Sequence, residues 1–148
     1  MQLAQVKAAL RDAVAAAEIP GLQCTAYVPA EPHPPAFYPG EVVFAPNNSF
    51  GPGPGGYDTV DITCRVLTSN AEDADGQALL DTLLSRSGPY SIRQALLAAR
   101  GAPGQPALGG LADDLMIVRI DGYREIPGPN EASYYGAQIT VRVVGSGS

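Results

Sequence analysis

A chain of 148 residues has the length of one domain and enough substance to bury a core. Its formal net charge is −6, and its basic residues are one lysine, Lys7, and arginines scattered singly, which argues against a surface built to grip nucleic-acid phosphates. No apolar run approaches the roughly 18 residues of a membrane span, and the start of the chain lacks the charged lead and apolar block of a signal peptide, so the expectation is a protein made in the cytoplasm. Charged residues are only 16% of the chain, against roughly 25% in an ordinary soluble domain. Such an exterior suits extensive contact with other protein, although a genome rich in G and C would also favour this composition.

Leu3, Val6, Leu10, Ala13, Val14 and Ala17 recur at helical spacing and predict an amphipathic helix of about four turns, stopped by Pro20 and Gly21. Residues 22–28 read as a strand ended by Pro29. The segment 31–35 is proline-rich and extended, and residues 41–45 read as a short strand. Residues 46–56 form a long Gly/Pro loop in which Phe50 is the lone large apolar residue. Phe50 either anchors a neighbouring subunit or folds back onto its own domain.

The stretch 57–84 organises the rest. Val60, Ile62, Cys64 and Val66 alternate with Thr59, Asp61, Thr63 and Arg65, the pattern of a strand with one face on a core and the other on water or a partner. Ser69 with Glu72 makes a capping box, and Leu79, Leu80, Leu83 and Leu84 give the following helix a stripe that can lie on the strand's apolar face. Gly88 stops that helix. Ser91 with Gln94 is a second capping box, opening a short helix to Arg100. A second Gly/Pro loop, 101–110, leads to two strands, 115–123 and 134–144, joined across residues 127–130. Asp121-Gly122 is read as a bulge rather than a hairpin turn, because the last strand is too long for a short partner. Ala137, Ile139, Val141 and Val143 face inward, and Gln138, Thr140 and Arg142 outward. The terminal residues 144–148 read as a flexible tail. The fold class is therefore α+β: a mainly antiparallel sheet of about five strands with helices packed on one face, in the order α-β-β-β-α-α-β-β, and one domain over 1–148.

Catalytic signals are sparse. His33 is the only histidine and has no second His or Cys at zinc spacing. The glycines of 51–56 lack the Lys-Ser/Thr ending of a phosphate loop. The acids Glu72, Asp73 and Asp75 sit where a helix dipole favours negative charge, and Asp113 and Asp114 precede a strand. Cys24 and Cys64, both at strand positions, read as reduced packing thiols. No nucleophile, base and orienting group can be assembled, so the expectation is no enzyme, no cofactor and no metal.

The chain resembles the tail terminator proteins of long-tailed (siphovirus-type) bacteriophages. The likeness is distributed: the N-terminal helix, the proline-rich segment before Glu41-Val42-Val43-Phe44, the strand Val60-Asp61-Ile62-Thr63-Cys64-Arg65-Val66, the run Ala78-Leu79-Leu80-Asp81-Thr82-Leu83-Leu84, then Ser91-Ile92-Arg93-Gln94-Ala95-Leu96, and the closing Tyr135-Gly136-Ala137-Gln138-Ile139-Thr140-Val141-Arg142-Val143. The resemblance implies a structural virion protein of the tail neck, assembled in the host cytoplasm. Its homo-hexameric ring would cap the tail tube, end its polymerisation and join the tail to the head connector. The implied partners are the chain itself, the tail tube protein and the head–tail connector protein, with DNA passing through the lumen without specific binding and no membrane. By analogy with related tube rings, Asp61, Thr63, Arg65, Gln138, Thr140 and Arg142 would face the lumen; Phe50, Tyr57, Tyr134 and Tyr135 are the candidate partner contacts. Alternatives are another head–tail neck protein (head-closure or adaptor), a small-molecule-binding α+β domain, or an oligomeric binding module.

Overall fold

The structure is a computed structural model describing residues 3–29, 34–45, 57–69, 73–100, 107–127 and 133–146. The expected fold class holds: three helices and a five-stranded, mostly antiparallel sheet follow one another in the expected order. Helix α1 is Leu3–Ala15, strands β1 to β3 are Gln23–Cys24, Ala36–Ala45 and Tyr57–Ser69, helices α2 and α3 are Asp73–Leu83 and Ile92–Ala98, and strands β4 and β5 are Asp114–Pro127 and Ser133–Ser146. In the sheet the order is β1-β2-β3-β5-β4, with β1 parallel to β2 and every other pair antiparallel.

The two strongest alternating sequences occupy the centre. β3 and β5 pair without interruption from Tyr57 opposite Ser146 to Ser69 opposite Tyr134. An unbroken ladder this long fixes which face each side chain takes, since a slip of one residue would turn the whole apolar set to the outside. Val60, Ile62, Cys64 and Val66 of β3 and Ala137, Ile139, Val141 and Val143 of β5 are all buried, on one face. Val6, Leu10 and Val14 of α1, Leu80 and Leu83 of α2, and Ile92 and Leu96 of α3 pack against them in one core cluster. Phe37 of β2 is the largest fully buried side chain there.

Local chemistry sets the boundaries. The expected strand 22–28 shrinks to two residues because the Thr25 hydroxyl donates to the Tyr27 carbonyl at 2.7 Å and curls the chain out of the ladder. Conversely, β2 begins at Ala36 rather than 41, since pairing Phe37 with Val66 buries an aromatic ring. Its proline, Pro39, is tolerated at a bulge between Pro39 and Val42 on a flank that β1 does not reach. Gly40 lies in that bulge, where a β-carbon would sit 3.1 Å from the Thr63 carbonyl oxygen. In β4 the expected bulge is present: the register shifts between Asp121 and Arg124, with Gly122 in the left-handed region at φ 68°. A further shift lies between Ile117 and Arg119.

Ser91 caps α3 as its spacing predicts, its hydroxyl accepting from the Gln94 amide at 3.1 Å. The box is not reciprocal, however. The Gln94 side chain instead accepts from the Gly88 amide at 2.9 Å, tying the helix to the turn before it. The helix ends at Ala98, two residues before the expected Arg100. Residues 144–146, read from sequence as the start of a flexible tail, belong to β5 and pair with β3. The Ser69–Glu72 capping box falls on Glu72, outside the described residues, as do His33, Phe50 and the loop 46–56.

Candidate functional site

Helices α1, α2 and α3 all pack on one side, and among the described residues no helix covers the opposite face of the sheet. Register arranges the six residues singled out for that face as three facing pairs on the two central strands: Asp61 opposite Arg142, Thr63 opposite Thr140, and Arg65 opposite Gln138. The flanking strands extend the rows. Met116 stands beside Arg142, Arg119 beside Thr140 and Asp121 beside Gln138 on β4; Val43 stands beside Asp61 and Tyr38 beside Arg65 on β2.

Asp61 and Arg142 form a forked ion pair, Nε to Oδ1 at 2.8 Å and Nη2 to Oδ2 at 3.1 Å. That hydrogen bond raises the Arg142 pKa above its ordinary value. Arg119 and Asp121 make a second, looser pair at 3.4 Å. Arg65 and Arg124 also fall on this face by register, so four arginines share it with the two paired aspartates. The face is thus mildly cationic in an acidic chain, with two of its arginines already tied to carboxylates. Because both partners of the central pair remain solvent-accessible, its strength depends on salt. Unfolding of Asp61→Ala, Arg142→Ala and the double variant, followed by urea titration, should give a small favourable coupling that fades as ionic strength rises.

Two features of this face are less polar than the sequence suggests. Thr140 is only 4% exposed and its hydroxyl has no hydrogen-bond partner, so it is enclosed by its neighbours rather than displayed. Ala36, Tyr38 and Leu67 are buried in a second small cluster, with Tyr134 packed on it. The signal for that cluster was legible: Leu67 follows Val66 and breaks the alternation, placing a large apolar residue on the outer side.

The candidate partner contacts do not form one patch. Tyr57 begins β3 opposite Ser146, whereas Tyr134 pairs with Ser69 at the strand's other end, roughly 40 Å away at the usual rise per residue. Tyr134 lies on the outer face and Tyr135 packs against the main core. Phe50 lies outside the described residues.

Elsewhere, Asp114 is held by Arg100 at 2.9 Å and accepts from the Leu115 amide, which keeps its carboxyl below the usual range. Among the described residues no group of three or more His, Cys, Asp or Glu is gathered for a metal ion. A cavity of about 280 Å³ under the end of α1 is lined by Val14, Ala15, Glu18, Ile19, Leu22 and Cys24. Burial raises the Cys24 thiol pKa there, with Arg11 opposing. Both cysteines are free; Cys64 is buried as expected, whereas Cys24 is only partly so. No helix among the described residues is long and apolar enough to cross a membrane. The chain matches no model of a known protein family and no curated protein.

Proposed function

We propose that the chain is a ring-forming structural subunit of a phage tail neck, a tail terminator that caps the tail tube, ends its polymerisation and joins the tail to the head connector. The supporting observation is the one-sided sheet: helices roof one face, and the central strands of the other display Asp61–Arg142 and Arg65–Gln138 as facing polar pairs, with Thr63 opposite the enclosed Thr140 between them. In a ring with that face toward the lumen, arginines already paired with aspartates present weakened charge to passing duplex, so DNA slides without being gripped. The tail tube protein and the connector would meet the two ends of the strands, where Tyr57 and Tyr134 lie. Size-exclusion chromatography with light scattering, followed by electron microscopy of the purified protein, tests the reading. The expected particle is a six-fold annulus with a pore wide enough for duplex DNA; a monomer at all concentrations overturns it.

A further inference from the structure

Both outer strands of the sheet are defended against pairing along most of their length. On β2, residues 36 and 37 are covered by β1, and the bulge between Pro39 and Val42 follows. On β4, two register shifts and the charged Arg119, Asp121 and Arg124 protect everything beyond Ile117. Bulges, prolines and charges are the usual means of keeping a sheet edge from pairing with another chain. Among the described residues, two regular stretches are left: 42–45 on β2 and 114–117 on β4.

These stretches lie at the same level of the sheet. Val43 pairs with Asp61, Asp61 with Arg142, and Arg142 with Met116, so one row runs straight from edge to edge. The neighbouring rows connect Val42 to Ile117, Phe44 to Leu115 and Ala45 to Asp114 in the same way. β2 and β4 run in opposite directions, since three antiparallel steps separate them. The side chains at these edges are apolar and exposed: Val43 56%, Phe44 53%, Met116 37%, and Val118, at the first bulge, 39%.

We propose that residues 42–45 of one copy pair antiparallel with residues 114–117 of the next, Val43 opposite Met116, so that the sheet continues from subunit to subunit. The contact rests on the self-assembly proposed above and supplies its interface. Rotation about an axis along the strands brings the two stretches together with no shift, with matching polarity, and with Val43 and Met116 on the same face. It uses two different patches, so it is head-to-tail and closes into a ring when the rotation divides a full turn.

Directly opposed residues in an antiparallel pair have Cα atoms about 4.5–5.5 Å apart, a separation a disulfide spans. In a Cys24→Ala background, Val43→Cys/Met116→Cys treated with a mild oxidant should give a ladder of covalent oligomers on a non-reducing gel, about tenfold more than either single variant. Val43→Cys/Ile117→Cys, with its thiols on opposite faces, should give none. Dimers from Val43→Cys alone would replace the head-to-tail contact with a two-fold one and overturn the proposal. Light scattering separates the two levels. An assembled particle without a ladder sinks this edge contact and leaves the ring standing, whereas a monomeric wild type sinks both. Val43→Lys, at an exposed position, should shift the assembled protein toward monomer while leaving its circular dichroism unchanged.

Discussion

Replacing Phe37 with alanine should lower the unfolding free energy by about 3–5 kcal/mol, the cost of deleting a large buried ring and leaving a cavity. Phe37 is completely buried on the inner face of β2, between Val66 on β3 and Cys24 on β1. Domains of this size are stable by only about 5–15 kcal/mol, so the variant would stand close to unfolding at room temperature. Phe44→Ala on the same strand should change the stability of the isolated subunit by less than about 0.5 kcal/mol, because its ring is half exposed. Urea titration of both variants under conditions that keep the chain monomeric measures the contrast. Equal losses would mean that the helices do not close over β2 as the structure has them.

The second large effect is alkaline. Burial pushes the Cys64 thiol up from the ordinary 9.0 to about 12. Between those values the unfolded chain gives up this proton and the folded chain keeps it. The folded state therefore binds more protons, and stability falls as pH rises through this window; below pH 9 the contribution is fully present. A gap of that size is worth at most about 4 kcal/mol. Tyr123, whose hydroxyl donates to Asp81 at 2.7 Å and whose pKa is also raised to about 12, adds a slope of the same sign. Comparing wild type with Cys64→Ala from pH 8 to 11 isolates the thiol. The variant should start less stable, having lost a buried sulfur, and should lose less with each increment of pH. Parallel curves would show that Cys64 is not desolvated. The same burial predicts that alkylating reagents reach Cys64 only once the fold opens, with Cys24 reacting first.

Periodicity carried the centre of this protein. A strict alternation over 59–66 and 137–143 leaves one arrangement that buries the apolar set, and the long uninterrupted β3–β5 ladder adopts it. Helix stripes and the Ser91 cap were equally legible, since both depend on residues within one or two turns of each other. Gly122 announced its bulge because a left-handed residue is readily supplied by glycine where β4 carries one residue more than β5 between Asp121 and Arg124. Strand ends were not legible. Whether Ala36 or Glu41 begins β2 depends on whether Phe37 finds a cavity between two other strands, and whether 22–28 stays extended depends on a hydroxyl reaching the Tyr27 carbonyl.

The polar outer face was determined by sequence as a set of residues, but not as a surface. Alternation placed Asp61, Thr63, Arg65, Gln138, Thr140 and Arg142 on one side. Only the register made Asp61 and Arg142 a pair, and only the packing around Thr140 enclosed it. The free edges belong wholly to the tertiary structure. Pairing order is a non-local choice, so nothing in the runs 42–45 or 114–117 says that they end on opposite margins of one sheet at one height. Side-chain pattern decides which face is buried because burial is felt residue by residue. Which backbone is left unpaired is decided by where every other strand has gone.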